Sequence, residues 1–336
     1  IGDKIRMDVK HFQKVITDFE HSGCDYTADD VIAEFSSNNP ENFLFPFMEG
    51  VIANLKTLGK IRTSETYAAT LCSFRRFRED KDVTLDDMDS DMMMAYEAYL
   101  KNNGVSPNSS SFYMRNLRAV YNRAVEKGLT SQRFPFKHVY TGVEKPVKRA
   151  VPLKVIKKIK EMDFSMNPSF DFARDMFLMS FYTRGMSFVD MAYLRKKDLQ
   201  NGVLSYRRRK TGQQLFIKWE KCMQEIVDKY DTSQSNYLLP IIKPFGDIDE
   251  RKQYIYAAHN INRCLKIIGK ELGLSVSLTL YVARHAWASI AKSKKVPLSV
   301  ISEGMGHDSE ATTRIYLASL DTMAIDKANS MILKSL

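Results

Sequence analysis

One C-terminal stretch, residues 279–316, constrains this 336-residue chain more than any other. From Arg284 onward, apolar residues recur at the period of an amphipathic helix, so this arginine is predicted to lie near the start of that helix. Gly306 and His307 follow at a predicted corner between two helices, and Tyr316 lies nine residues after the histidine. A cation, an imidazole and a phenol therefore share one short segment.

These three side chains suit attack on a phosphodiester. Arg284 supplies a fixed cation whose forked guanidinium matches phosphate oxygens. His307 supplies a neutral proton carrier, and the phenol of Tyr316 becomes a nucleophile once its proton is removed. The set predicts phosphodiester chemistry that does not depend on a metal ion.

The segment resembles the C-terminal signature of the tyrosine recombinases, the phage integrase family. The family pattern reads H-x-x-R-H, then L-G-H, then T-x-x-Y, and the chain has YVARHAW at 281–287 and GMGHDSEATTRIY at 304–316. Two upstream landmarks of the family have counterparts in YTRGMSFVDMAYL at 182–194 and RRRKTG at 207–212. The resemblance covers about residues 149–336, and the variant motifs are similar to those of mobile-element integrases of Bacteroidetes-type bacteria.

Two landmarks depart from the family pattern. Tyr281 stands where the family has its first histidine, and a phenol can donate to phosphate but cannot be a near-neutral base. Ser187 stands where the first phosphate-clamping arginine belongs. Either Arg208 or Arg184 could replace that arginine, and Arg208 is favoured because it is expected on the same strand face as Lys210. Arg184 would otherwise be a structural cation at a helix end.

A β-hairpin is expected to carry the family's catalytic lysine. The segments LSYRRRK and QLFIKW flank a turn signal and predict two strands. The strand period of two puts Arg208 and Lys210 on one face and Arg207 and Arg209 on the other. Lys210 is therefore the candidate general acid for the leaving 5′ oxygen, whereas Arg207 and Arg209 could equally be solvated charges.

Positive charge is concentrated in the middle of the chain, whose formal net charge is +10. Residues 1–100 hold 11 basic and 19 acidic side chains, whereas residues 101–160 hold 14 and 2. Such a block favours a polyanionic partner, although a solvated basic face is the simpler alternative. A membrane partner is not expected because no run of about eighteen apolar residues occurs. The 4 cysteines match no metal-site spacing and predict reduced thiols.

Helical patterns and turn signals divide the chain into four parts. Residues 1–60 indicate an acidic helical linker region of a truncated chain, and residues 61–143 a helical domain similar to the family's SAM-like core-binding domain. Residues 144–152 indicate an interdomain linker, and residues 153–336 a catalytic domain with an apolar tail. The cations expected to contact DNA are Arg75, Arg115, Arg118, Lys145, Lys148 and Arg149.

The resemblance implies a mainly α fold with a small β-hairpin or sheet, in which two domains close on double-stranded DNA as a C-clamp. It also implies a site-specific recombinase or integrase of a mobile element, which forms a 3′-phosphotyrosine and a Holliday junction without a cofactor. A homotetramer, host bending or excision factors, and a bacterial cytoplasmic location belong to the same expectation. The tail would dock on a neighbouring protomer, or else pack in cis.

Three other functions fit the same residues. A DNA invertase of this family would share every motif. A type IB topoisomerase would share the tyrosine chemistry but relax a single DNA. A DNA-binding relative with weakened catalysis would explain the departures at Ser187 and Tyr281.

Overall fold

The computed structural model describes residues 2–23, 25–37, 42–144, 150–243, 248–318 and 329–333. Within these ranges the chain forms fourteen α-helices with defined bounds, a short helical stretch at residues 329–333 and one three-stranded antiparallel sheet. The expected fold class, mainly α with a small sheet, is confirmed. The chain divides into two compact units, residues 1–144 and 145–336.

The first unit contains six helices among its described residues. They are α1 (Gly2–Ser22), α2 (Ala28–Ser37), α3 (Leu44–Thr57), α4 (Ile61–Phe77), α5 (Ser90–Asn102) and α6 (Pro107–Glu126). The sequence marks several of their ends. The Asp89 carboxylate caps α5 by accepting from the backbone N–H of Met92 at 2.8 Å. Pro107 occupies the first turn of α6, where its missing N–H costs nothing.

Helices α3 to α6 share one apolar core. Phe74 and Tyr96 are fully buried and meet edge to face, with ring centroids 5.0 Å apart. The Tyr96 hydroxyl donates to Ser73 Oγ at 2.8 Å, which satisfies the polar group of a buried ring. Leu44 and Met48 of α3 lie in this same core. Helix α3 therefore shares the core of the helical domain although it precedes the expected boundary at residue 60, because its apolar stripe is buried against α4.

Among its described residues, the second unit contains the sheet and eight helices whose bounds are defined. These elements are α7 (Leu153–Glu161), α8 (Pro168–Tyr182), α9 (Phe188–Ala192), β1 (Leu199–Gln200), β2 (Val203–Arg207), β3 (Gln214–Lys218), α10 (Lys221–Asp228), α11 (Glu250–Glu271), α12 (Leu280–Ser293), α13 (Leu298–Met305) and α14 (Glu310–Ala318).

The sheet differs from the predicted hairpin in two respects. Its order is β1-β2-β3, and the short strand β1 was not predicted. Strand β2 ends at Arg207, which pairs with Gln214, so residues 208–213 form a turn. The turn closes because the Arg208 N–H donates to Gln213 O and the Gly212 N–H donates to Arg208 O, each at 2.8 Å. The prediction that Arg208 and Lys210 share a strand face is therefore wrong, since neither belongs to a strand.

Two packed clusters hold the C-terminal helices in place. Val282, Ala283 and Ala286 of α12 lie in the main core of the unit. On the other side of α12, Ala288 packs with Ile301 and Met305 of α13 and with Leu317 of α14 in a smaller cluster. Leu317 is 2 % exposed, so α14 is anchored beside the residue at 316.

The tail beyond α14 is described only at residues 329–333. Met331 and Leu333 are exposed there, and the rest of the predicted docking segment lies outside the described residues. None of the described helices combines the length and the apolar character that a membrane span requires.

Candidate active site

Arg284 lies at the centre of the site and is 5 % exposed. Its Nη1 donates to Gly185 O at 2.7 Å, and its Nη2 donates to Met305 O at 2.7 Å. These bonds hold the guanidinium in one orientation. They also supply the hydrogen-bond partners that a buried charge requires. Gly185 has φ +76°, and a Cβ there would lie 2.7 Å from the Arg284 Cα. A glycine before the short helix α9 is therefore needed for the arginine to lie so close.

A second guanidinium, that of Arg208, lies at the C-terminal end of α13, the helix whose Met305 carbonyl accepts from Arg284. Gly306 terminates α13 in the left-handed conformation, with φ +65°, and the last carbonyls of a helix have no partner within it. Arg284 bonds the Met305 carbonyl, and Arg208, which is 8 % exposed, donates to the Gly306 carbonyl. The partial negative charge of a helix C-terminus favours both cations. A Cβ on Gly306 would lie 2.9 Å from Leu215 Cδ1 and 3.1 Å from Arg208 Cδ, so only glycine fits.

The hydrogen bonds of His307 define its tautomer. Its Nε2 lies 3.0 Å from Arg284 Nη2 and must accept, because a guanidinium can only donate. Its Nδ1 therefore carries the proton and donates to Thr313 Oγ1 at 2.7 Å. Burial, followed by the charges of Arg284, Arg208 and Lys210 in that order, lowers the pKa of His307 to about 4. The imidazole is neutral at physiological pH.

Thr313 connects the histidine to the helix of the predicted nucleophile. It is fully buried on α14 and lies one turn before residue 316. We did not single it out from the sequence, although the T-x-x-Y spacing contained the signal. The backbone of Tyr316 belongs to α14, but its side chain lies outside the described residues.

Ser187 has a structural role at the position of the missing arginine. It is the N-cap of α9, and its hydroxyl donates to Asp190 Oδ2 at 2.6 Å. The other oxygen of Asp190 accepts from the backbone N–H of Arg209 at 2.9 Å. The Arg209 guanidinium lies 3.9 Å from the centre of the Tyr193 ring. The β2–β3 turn is thus tied to α9 one residue before Lys210, a link that sequence reasoning missed.

Arg184 also lies near the site, in a strained conformation. Its φ is +59°, which is uncommon for a non-glycine residue. A Cβ on Gly304 of α13 would lie 3.6 Å from Arg184 Cδ. The Arg184 side chain therefore passes close to α13, whose C-terminal carbonyls accept from Arg284 and Arg208. Burial raises the pKa of Tyr206, and the charges of Arg284, Arg208 and Arg184 oppose that rise. The three arginines therefore share one electrostatic environment.

The other two predicted catalytic residues are exposed. Lys210 lies in the β2–β3 turn, and its charge is one of those that lower the pKa of His307. Tyr281 is 53 % exposed and lies one turn before Arg284 on α12. Its ring meets the His285 ring edge to face at 4.7 Å. Lys210 thus lies within electrostatic range of His307, while Tyr281 lies on the exposed start of α12.

Three of the six predicted DNA contacts lie in the first unit, and they are of two kinds. Arg118 is exposed on α6, and its Nη1 donates to Thr141 Oγ1 at 3.3 Å. Arg115 is half-buried on the same helix. Arg75 instead has structural partners, since it pairs with Glu49 at 2.6 Å and lies 4.9 Å from the centre of the Phe45 ring. The remaining three, Lys145, Lys148 and Arg149, lie outside the described residues.

Comparison with known sequences identifies the family. The profile of the phage integrase family matches residues 152–323, which is about half of the chain and contains every predicted catalytic position. The chain belongs to the phage integrase family. It is therefore a tyrosine recombinase, and members of this family catalyse DNA strand exchange. The profile of the phage integrase SAM-like domain matches residues 43–139. No curated protein matches the sequence.

Solved structures of several recombinases share the fold at low sequence identity. A lambda integrase dimer bound to a COC′ core site is 16 % identical, with a TM-score of 0.63 over 83 % of this chain and 97 % of that one. XerH recombinase bound to a palindromic difH substrate is 16 % identical, with a TM-score of 0.61 over 84 % and 83 %. The Tn1549 transposon integrase in complex with circular intermediate DNA is 14 % identical, with a TM-score of 0.57 over 84 % and 99 %.

Proposed function

We propose that this tyrosine recombinase is the integrase of a mobile element, which cuts and rejoins DNA through a 3′-phosphotyrosine at Tyr316. The observation that carries the proposal is the convergence of Arg284, Arg208 and His307 on the C-terminal end of α13. Two of these side chains are buried cations and the third is a neutral imidazole. Such a fixed, largely dry arrangement suits the charge that develops on a phosphate in a transition state.

The first step attaches the protein to one DNA strand. The Tyr316 oxygen attacks the scissile phosphorus, a P–O bond forms, and the bond to the 5′ oxygen breaks. The phenol proton passes to His307 Nε2, whose lone pair accepts from Arg284 in the free protein and would become available once a phosphate oxygen takes over that Arg284 N–H. The α14 helix brings the tyrosine toward the imidazole because Thr313, one turn earlier, already bonds Nδ1.

Two guanidiniums neutralise the non-bridging oxygens in this proposal. Arg284 supplies one clamp. Arg208 supplies the other in place of the family's first arginine, whose position is held by Ser187. Arg208 suits this role because its side-chain acceptor is a carbonyl oxygen and not a carboxylate, which leaves its positive charge for an incoming phosphate.

Lys210 completes the step by protonating the leaving 5′ oxygen. Its exposed position in the β2–β3 turn gives it reach, and the Asp190 bond to the preceding backbone N–H fixes the base of the turn. The ester keeps the energy of the broken bond, so a 5′ hydroxyl of a partner strand reverses the reaction without ATP or a metal ion. Tyr281 can donate one hydrogen bond to the same phosphate.

The wider assembly is proposed from the resemblance and from the solved relatives. One lambda integrase structure is a tetramer bound to a Holliday junction, and we propose a homotetramer on DNA here, in the cytoplasm of a bacterium. Arg115 and Arg118 of the first unit would contact phosphates of the duplex. The apolar residues Met331 and Leu333, exposed in the described part of the tail, would dock on a neighbouring protomer.

Covalent capture on a suicide substrate tests the proposal. A nicked duplex that carries the end of the element is incubated with the parent protein and with Tyr316→Phe, in buffer that contains EDTA. The parent is expected to form a protein–DNA adduct that is stable to denaturant, and Tyr316→Phe is expected to bind the duplex but form none. An adduct with Tyr316→Phe would move the nucleophile to another residue.

Absence of an adduct from both proteins, with binding intact, would instead indicate the DNA-binding relative with weakened catalysis. Relaxation of one supercoiled circle without joining of two sites would indicate a topoisomerase.

A further inference from the structure

One large aromatic side chain of the first unit stands in solvent. Phe134 is 66 % exposed, although it lies in a segment (residues 129–139) in which the next two residues, Pro135 and Phe136, are buried. Phe136, two residues later, is 6 % exposed and packs against Tyr121 with ring centroids 6.2 Å apart. Val139 is also buried. Phe134 is therefore the outward-facing ring of a segment that Phe136 and Val139 pack on the core.

The segment is fixed on both sides of this ring. Before it, the Tyr121 hydroxyl donates to Ser131 O at 2.8 Å, and Arg133 Nη1 donates to Asp86 O at 2.9 Å. After it, the Lys137 N–H donates to Phe134 O at 3.1 Å. Because the backbone is held by these bonds, the exposure of the ring is a property of the folded loop.

The backbone of Phe134 is also strained. Its φ is +52°, a region that bulky L residues rarely adopt and that concentrates at functional sites. Two successive hydrogen bonds through side chains connect the Phe134 backbone to α6 and support this conformation. Gln132 Nε2 donates to Asn122 Oδ1 at 3.3 Å, and Gln132 Oε1 accepts from the Phe134 N–H at 3.0 Å. The helix with the predicted DNA contacts thus positions the loop that presents the ring.

The surroundings of Phe134 are positively charged. The ring lines a cavity of about 550 Å³ together with Arg118 on α6 and Lys137 on the loop. Among the described residues that line it, none is a carboxylate. The cavity lies within residues 101–160, the block with 14 basic and 2 acidic side chains. An apolar ring between two cations is complementary to duplex DNA, whose bases lie between rows of phosphates.

We propose that Phe134 is a wedge that inserts at a base step of the bound duplex, while Arg118 and Lys137 hold the flanking phosphates. Apolar side chains that enter a base step unstack it and kink the helix axis. A wedge must be held rigidly to transmit force to the stack, and the anchored loop supplies that rigidity. The inference rests on the proposed DNA-binding function but concerns a residue outside the catalytic unit.

The test replaces the ring in the full-length chain and measures both binding and base stacking. A duplex enriched from a random pool by the parent protein is labelled with 2-aminopurine at one position after another. The main variant is Phe134→Gly, because glycine adopts positive φ without strain and preserves the loop. Phe134→Leu keeps an apolar wedge, and Leu58→Ala removes a side chain of similar exposure, 61 %, elsewhere in the same unit.

The parent is expected to raise 2-aminopurine fluorescence at one base step, since unstacking relieves quenching. Phe134→Gly should lose that signal and bind about ten-fold more weakly at every salt concentration, with an unchanged salt slope. Phe134→Leu should retain part of the signal, and Leu58→Ala should match the parent. Lys137→Ala should instead lower the slope of log K against log salt by about one.

Parent affinity and parent fluorescence with Phe134→Gly would overturn the wedge. So would a fall of the thermal midpoint in that variant with DNA binding unchanged, because the ring would then pack against protein. A parent chain that binds no duplex would overturn the proposed function and the wedge together. Failure to form the tyrosine adduct, with the fluorescence signal present, would overturn the proposed function alone.

Discussion

The arginines of the two units lie in opposite environments. In the second unit, Arg284 and Arg208 are 5 % and 8 % exposed and bond backbone carbonyls at the end of α13. In the first unit, Arg118 is exposed on α6, and the Arg75 side chain is 36 % exposed in an ion pair with Glu49. The same residue type is thus a fixed charge in one unit, and a surface charge or a structural ion pair in the other.

This difference predicts which measurement each arginine affects. A buried, oriented guanidinium acts over a few ångströms and changes the chemical step. An exposed one acts by displacing counterions and changes the salt dependence of binding. Adduct formation at saturating DNA therefore reports on the first group, and the salt slope of binding reports on the second.

The largest effect is expected at Arg284. Arg284→Lys keeps the charge but loses the fork that bonds Gly185, Met305 and His307 together. Adduct formation at saturating DNA should fall by about 10³-fold, equivalent to about 4 kcal/mol of transition-state stabilisation. Arg118→Lys is the matched change in the other unit and should leave that rate unchanged. An equal fall in both variants would remove the distinction between the two environments.

A smaller effect is expected from the titration of His307. Its pKa is lowered to about 4 in the folded protein, against about 6.5 when unfolded, so folding favours the neutral ring. The associated stability is fully present above pH 6.5 and is lost as the pH falls toward 4. After allowance for partial solvent screening, the parent should lose about 1–2 kcal/mol more than His307→Gln over this interval. Urea unfolding at several pH values measures the difference, and parallel curves would contradict the lowered pKa.

The smallest effects are expected from the arginines of the first unit. Arg118→Ala should reduce the slope of log K against log salt by about one, which corresponds to one lost phosphate contact. Arg75→Ala should leave that slope unchanged and lower the free energy of unfolding by about 0.5–1 kcal/mol, because its partners are Glu49 and the Phe45 ring. A lower salt slope in Arg75→Ala, together with an unchanged slope in Arg118→Ala, would place the DNA surface on α4 and not on α6.

The sequence predicted elements whose signal is local. The apolar period after Arg284 predicted α12, and local signals such as the capping Asp89 and the first-turn Pro107 lie at helix starts in the structure. The corner at Gly306 also followed from the sequence, because the residues on either side have separate helical patterns. These features depend on residues a few positions apart.

Features that depend on distant residues were not predicted. The strand period placed Arg208 beside Lys210, but β2 ends at Arg207 because its partner ends at Gln214. Arg208 is buried for a different reason, which is that Gly306, 98 residues away, offers a free helix-end carbonyl. The Asp190 bond to the turn and the α3 contribution to the first core are likewise tertiary, and no local pattern contains them.

The proposed chemistry depends most directly on Arg208 as the second phosphate clamp. The decisive measurement is the single-turnover rate of phosphotyrosine formation on the nicked duplex, at saturating DNA, for the parent, Arg208→Ala and Arg184→Ala. Arg208→Ala is expected to react at least about ten-fold more slowly, equivalent to about 1.4 kcal/mol, with its affinity for DNA nearly unchanged, while Arg184→Ala stays within about two-fold of the parent. Reaction of Arg208→Ala at the parent rate, with Arg184→Ala inactive, would contradict this and make Arg184 the clamp.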